Sequence, residues 1–203
     1  VRIRELSVPD SYELTPLVHR DDRGTFHEFY RFETLEDTIG HALDLRQGNL
    51  STSARGVVRG VHFAQLPPSQ AKFVHAPHGA LIDFVVDLRI GSPTFGTWDS
   101  VVLDDVERRA VYLAEGLGHV LVALTEGAIA SYLTSAVFDR DREKAVNPLD
   151  PDLALEIPLR SEDLILSPKD EAASSLAEAV ESGILPTWDD CRAYYARLSS
   201  GAR

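Results

Sequence analysis

Between about residues 45 and 138 the chain breaks into short apolar runs of even spacing, and nothing else in it limits the fold so strongly. In ALIDFVVDLR, Ile82, Phe84, Val86 and Leu88 share one face while Asp83, Val85 and Asp87 share the other. That is the period-two alternation of a β-strand. GSPTFG then supplies turn chemistry, and TWDSVVLD, RAVYLAEG, HVLVALTEG and AIASYLTSAVF follow, separated by turns rich in Gly or Asp. Many short strands at such spacing predict a mainly β chain folded as a jelly-roll sandwich or barrel.

The tail reads differently. SPKDEAASSLAEAVESG holds helix formers, early acids and Gly183 as a stop signal. After Pro186, TWDDCRAYYARL sets Thr187 and Asp190 at capping-box spacing, so a second helix is expected. The 203 residues can bury a sizeable core. The expected layout is a single domain over 1–203. A β jelly roll fills about 1–160, NPLDPDLALEIP connects, and a helical appendage over about 168–200 packs outside.

Charge and composition exclude some functions. A net charge of -12 repels polyanions, which argues against nucleic acid as a partner. No apolar run is long enough to cross a bilayer, and VRIRELSVPD lacks the apolar core of a signal peptide. Cys191 is the lone cysteine, so no intrachain disulfide forms. These features suit a cytoplasmic protein without a membrane partner. Lysine is scarce beside arginine: Lys72, Lys144 and Lys169 are the whole complement.

Against that acidic background, RGVVRGVHFAQLPPSQAK gathers Arg55, Arg59, His62 and Lys72, with Pro67 and Pro68 pinning a hairpin turn before the lysine. In an ideal strand Arg59 and His62 would point to opposite faces, because they are an odd number apart. Gly60 lies between them, and a glycine within a strand often marks a bulge. With a bulge both side chains face one lumen; without it Arg59 covers the outside. His62 alone reads equally as a hydrogen-bonded core histidine.

Downstream, Ala128, Ala130, Tyr132 and Thr134 alternate on one face, and three of the four are small. Small inward residues leave space inside a barrel, where a close-packed core needs bulk. The Tyr132 hydroxyl beside that space can donate a proton or bond a strand carbonyl. EGLGHVL spaces Gly116 and His119 as half of a cupin metal motif, but the matching half needs a histidine at position 64, which is alanine. His75 and His78 fall in FVHAPHG, the latter at an expected turn. Two well-placed histidines are too few for a tight transition-metal site, so no metal is expected. In HRDDRGTFHEFYR, Arg23 and Gly24 make a turn signal, followed by Phe26, Glu28 and Tyr30 at period two. Gln47 and Asn49 share a face in RQGNLS. No phosphate-binding loop, dinucleotide fingerprint or nucleophile elbow occurs.

Taken together, DDRGTFHE, QGNLSTSARGVVRGVHFAQLPPSQAK, DFVVDLRIGSPTFGTWDSVVLDD, AVYLAEGLGHVLVAL, SYLTSAVF, NPLDPDLALEIP and LSPKD resemble the dTDP-4-dehydrorhamnose 3,5-epimerase family, where dTDP is deoxythymidine diphosphate. The likeness covers roughly residues 13 to 172, and GILPTW in the tail is also similar. The resemblance implies a cupin-type jelly roll without metal or other cofactor. It further implies a homodimer acting on a dTDP-linked 4-keto-6-deoxyhexose and inverting C3, C5 or both. Carried over by position, His62 is the general base, Asp170 orients it, Tyr132 is the acid on the opposite face and Lys72 stabilises the enolate. Arg23 and Arg59, with Gln47 and Asn49, hold the diphosphate. Phe26 and Glu28 approach the nucleoside, from the same or the partner subunit, and His119 lines the sugar pocket.

Those residue types suit that chemistry. A C4 ketone acidifies the hydrogens on both neighbouring carbons, and an imidazole of ordinary pKa about 6.5 is matched to removing one near neutral pH. A carboxylate on its other nitrogen fixes the tautomer and stabilises the imidazolium that forms. An ammonium beside O4 favours the enolate over the ketone, and arginine forks suit diphosphate oxygens. The chain departs from the family pattern at Phe138, where tyrosine is common near the nucleotide, and at Val120 and Leu121 after the histidine. Asp83 is a rival to Asp170 as the partner of His62, or a partner for Lys72. Two other readings use the same residues: a dTDP-hexose 3,4-ketoisomerase and a non-catalytic sugar-nucleotide binding module. A metal-dependent cupin oxygenase or isomerase fits them less well.

Overall fold

The computed structural model describes residues 1–201. Along the chain run β1 (Arg2–Glu5), β2 (Ser11–Thr15), β3 (His19–Asp21), β4 (Gly24–Phe26), α1 (Phe32–Ile39), β5 (Gln47–Ser53) and β6 (Val58–Ala64). There follow β7 (Lys72–His78), β8 (Ala80–Asp87), β9 (Trp98–Asp104), β10 (Ala110–Leu113), β11 (Leu117–Ala123), β12 (Ala128–Thr134) and β13 (Glu143–Ala145). The tail carries α2 (Pro168–Glu171), α3 (Leu176–Glu181) and α4 (Trp188–Ser199). Two antiparallel sheets face each other, ordered β1-β2-β10-β7-β12-β5 and β13-β6-β11-β8-β9, and β3 pairs with β4 as a separate hairpin. The mainly β jelly roll with C-terminal helices is therefore the observed fold.

Strand β8 shows how the alternation is used. Ile82, Phe84, Val86 and Leu88 turn outward and pack with Leu153, Leu176, Ala179 and Leu185 from the tail. Asp83 and Val85 turn inward; Val85 joins Leu81, Leu121, Val74 and Ala128 in the core between the sheets. The apolar face is thus the outer one, and both faces are buried because the tail covers it.

Four local expectations need correction. SPKDEAASSLAEAVESG does not form one helix: α2 stops at Glu171 and α3 restarts at Leu176. Ser175 caps the restart, accepting from Glu178 N–H while the Glu178 side chain bonds back. Ser174 is engaged elsewhere, its carbonyl accepting from Asn147 N–H at 2.9 Å. Serine side chains compete for backbone groups in this way and favour helix starts over interiors. The Pro67-Pro68 turn does not close a hairpin, because β6 and β7 lie in opposite sheets; it is an arch across the barrel. His78 ends β7 rather than sitting in a turn, and Glu28 and Tyr30 lie beyond the end of β4, outside any strand. The second tail helix forms as expected, with Thr187 Oγ1 accepting from Asp190 N–H.

Candidate active site

The site begins with a bulge. Leu121 pairs with Arg59, and His119, two residues earlier on β11, pairs with His62, three residues later on β6. The extra residue restores Arg59 and His62 to one face, the face of His119 and Leu121. Gly60 makes this geometry accessible: its φ is +125, and a Cβ there would lie 2.3 Å from the His119 carbonyl oxygen. A side chain at this position would collide with backbone, so the bulge requires glycine.

His62 lies in a cavity of about 340 Å³ lined by Val57, Arg59, Ser167, Lys169 and Asp170 among others. Its Nε2 is 2.7 Å from Asp170 Oδ1. Asp170, not Asp83, is therefore the carboxylate on this ring. It is held from both sides, because Ser167 Oγ donates to Oδ2 at 3.0 Å and accepts from the Asp170 N–H at 3.1 Å. Pro168 at the first helical position and Ser167 as the cap build this turn. Burial would raise the Asp170 carboxyl, but His62, Ser167 and Lys169 outweigh it and hold it below its ordinary value. Nδ1 of His62 has no hydrogen-bond partner among the described residues.

Behind His62, Lys72 Nζ on β7 lies 3.1 Å from His119 Nε2 on β11. The other ring nitrogen, Nδ1, faces Asp83 Oδ1 at 3.4 Å. Burial pushes the lysine and the imidazole down and the aspartate up. His119 is therefore neutral and bonded to the lysine, with Asp83 beyond it.

Tyr132 stands on the other sheet. It pairs with Val74 and Asn49, and Thr134 pairs with Lys72 and Gln47. These partners set Tyr132, Thr134, Gln47, Asn49 and Lys72 on the same inward face. Burial and Glu143 raise the Tyr132 hydroxyl, against Arg59, so it stays protonated and can donate. Arg59 reaches across to β5, its Nε donating to Ser53 Oγ at 3.1 Å and Nη2 to the Thr52 carbonyl at 3.3 Å. Gln47 Nε2 donates to Asn49 Oδ1 at 2.7 Å, and Gln47 Oε1 accepts from Phe138 N–H at 2.8 Å. Of the expected site residues, Arg59, His62 and Asp170 line the His62 cavity, Lys72 and His119 are bonded to each other behind it, and Tyr132 faces inward from the other sheet beside Asn49, with Gln47 and Phe138 joined to that edge.

Arg23, Phe26 and Glu28 lie elsewhere. Arg23 closes the β3–β4 hairpin and is paired with Asp21 at 2.6 Å, Phe26 is 69% exposed, and Glu28 pairs with Arg31 at 2.5 Å. None lines the His62 cavity. Three residues near the centre escaped the sequence reading. Ser167 had a signal, a serine before proline with an acid three residues from it. Lys169, which bears on Lys72 through space, stood out only by the scarcity of lysine, and Glu143, which does so too, had no signal, since short β13 and the tail meet the barrel only in three dimensions. No cluster of three metal-ligating side chains occurs among the described residues.

Fold and site together define a cupin-type barrel with titratable side chains on both of its walls. Comparison with known proteins narrows the class. A family model described as dTDP-4-dehydrorhamnose 3,5-epimerase matches residues 5–178. A dTDP-4-dehydrorhamnose 3,5-epimerase of Mycolicibacterium smegmatis is 51% identical over 195 residues, covering 96% of each chain. The 4-keto-6-deoxy sugar epimerase of the Streptomyces spheroides novobiocin cluster superposes with a TM-score of 0.91 at 48% identity, covering 94% of both chains. A 3'-monoepimerase from Streptomyces bikiniensis, in complex with dTDP-quinovose, gives a TM-score of 0.93 at 41% identity over 96% of this chain and 98% of its own. The chain belongs to the dTDP-4-dehydrorhamnose 3,5-epimerase family, and it is an isomerase of the epimerase class.

Proposed function

We propose that the protein inverts C3, C5 or both on a dTDP-linked 4-keto-6-deoxyhexose, in deoxysugar biosynthesis. The observation that carries this reading is the 2.7 Å contact between His62 Nε2 and Asp170 Oδ1. The contact leaves Nδ1 as the free basic atom and fixes the ring through its other nitrogen. His62 removes the proton next to the ketone, and Asp170 stabilises the resulting imidazolium. Lys72 meets the charge growing on O4. Tyr132, on the opposing wall, returns a proton to the other face, which inverts the carbon. Arg59, with Gln47, Asn49 and Phe138, receives the nucleotide end.

Two copies complete the site. Strand β5 ends its sheet with an open edge, and Leu50 on that edge is 65% exposed. Exposed apolar edges of this kind are protected by association. A partner seated there would bring its Arg23, Phe26 and Glu28 hairpin toward the nucleoside. The buried single Cys191 suits a reducing cytoplasm, and no helix among the described residues is long and apolar enough to cross a membrane.

The test is incubation with dTDP-4-keto-6-deoxyglucose in deuterated water. Wild type is expected to incorporate deuterium at C3, C5 or both, and His62→Asn to incorporate none. Absence of exchange in both proteins rejects the proposal. Coupling constants of the product distinguish inversion at one carbon from inversion at two.

A further inference from the structure

Three buried titratable side chains form a line across the barrel: Lys72, His119 and Asp83. Lys72 Nζ meets His119 Nε2 at 3.1 Å, and His119 Nδ1 faces Asp83 Oδ1 at 3.4 Å. Lys72 and His119 are each 5% exposed and Asp83 is 0% exposed. Both Asp83 oxygens and His119 Nδ1 lack a hydrogen-bond partner among the described residues. A buried carboxylate with no donor is costly, and its usual resolution is to hold a proton. The nearby acceptor for that proton is His119 Nδ1. Around the line, Glu143 and Lys169 bear on Lys72, and His62 bears on His119.

We propose, resting on the epimerase reading above, that Asp83, His119 and Lys72 form a proton relay that charges Lys72 only as the enolate develops. At rest Asp83 is a carboxylic acid whose Oδ1 lies 3.4 Å from Nδ1, His119 is neutral with its proton on Nε2, and Lys72 is an amine accepting from Nε2. As negative charge grows on O4, Asp83 gives its proton to Nδ1 while Nε2 gives its own to Nζ. One O–H and one N–H bond break and two N–H bonds form. The cluster gains and loses no proton and keeps zero net charge, ending as carboxylate, neutral imidazole and ammonium. Return of a proton to carbon reverses the shift.

The advantage is differential. A permanent buried ammonium would stabilise ketone and enolate alike, whereas one created alongside the enolate lowers mainly the transition state. Asp83 and Lys72 attract each other's charged forms, but burial outweighs this, pushing Asp83 up and both bases down, and favours the neutral resting form. Asp83 touches no reacting atom, so it is a positioning residue acting through His119.

Nitrogen-15 NMR of the histidine rings in the substrate-free protein tests the resting form. The His119 signals are identified by their loss in His119→Gln or, should that variant not fold, by their shift in Asp83→Asn. The expected result is a neutral ring protonated on Nε2; a proton on Nδ1, or on both nitrogens, overturns the relay. This measurement needs no substrate, so its outcome is separate from that of the deuterium-exchange test of the proposed chemistry. Where wild type does exchange deuterium, a proton inventory in mixed water gives the second readout. Wild type should show a curved dependence from several moving protons, and Asp83→Asn a linear one, with a rate about 100-fold lower. Equal rates, or a linear dependence in both proteins, also overturn it.

Discussion

His62 and His119 stand opposite each other in the β6–β11 register, yet each ring faces a different carboxyl group. His62 is bonded to Asp170, which comes from the tail and is supported by a serine and a helix start. His119 faces Asp83, which comes from the neighbouring strand and has no donor among the described residues. The first arrangement fixes a ring at the cavity through one nitrogen, and the second keeps a buried imidazole neutral. Two like residues a strand apart are thereby given unlike chemistry.

Replacing Asp170 by Asn should keep the fold and lower turnover about 10²- to 10⁴-fold, as expected when a general base loses its orienting partner. Ser167→Ala should lower it less, because it removes one support of the carboxylate and not the carboxylate itself. Steady-state kinetics of the two variants, with circular dichroism as a control for folding, checks the order.

The same pair sets part of the acid stability. The Asp170 carboxyl is held below 3.8, its ordinary value. Its contribution is therefore present above that value and lost as pH falls through the lowered folded value. Urea unfolding at a series of acidic pH values should show wild type and Asp170→Asn converging as pH drops. A gap that stays constant would contradict the assignment.

Tyr132→Phe should separate proton removal from inversion. His62 remains to abstract the proton and return deuterium to the same face, so exchange into substrate should persist. Formation of the inverted sugar should fall by about 100-fold or more. Product analysis by proton NMR reads both quantities in one sample.

Gly60→Ala should unfold the site. The new Cβ would press on the His119 carbonyl oxygen at 2.3 Å, with φ at +125. A cost of about 3 kcal/mol is expected from backbone strain and displacement. Denaturant titration measures it, and an unchanged midpoint would show that the bulge does not need glycine.

Arg89→Met tests how the tail is fastened. Arg89 is fully buried, bonds both Asp87 oxygens at 2.9 Å and Asp10 at 2.7 Å, and lies 4.5 Å from the Trp188 ring. Removing it leaves Asp87 buried without its cation, for a loss of about 3–5 kcal/mol. Unfolding followed by Trp fluorescence should report this loss.

Much of the framework was legible because β alternation and turn residues are local. The inward stripe Ala128, Ala130, Tyr132 and Thr134 could be seen from residue size alone. The Gly60 bulge could be posed as a question, and the β6–β11 register answered it. Facts created by the meeting of distant segments could not be read. The arch through Pro67 and Pro68 resembles a hairpin until the two sheets are known. The face of β8 under the tail looks like an inner core face, because an outer cover leaves no local mark. The choice between Asp170 and Asp83 for His62 depended on where the tail lies, and Glu143 and Lys169 became visible only once β13 and α2 were placed beside the barrel.

The partner of His62 arrives 108 residues after it in the chain. On a ribosome every wall strand of the lumen is therefore made before the carboxylate that equips its base, and competence waits on the segment that carries it. A molecule in which Ser167 to Glu171 had come loose would hold its histidine without its carboxylate and should turn over little.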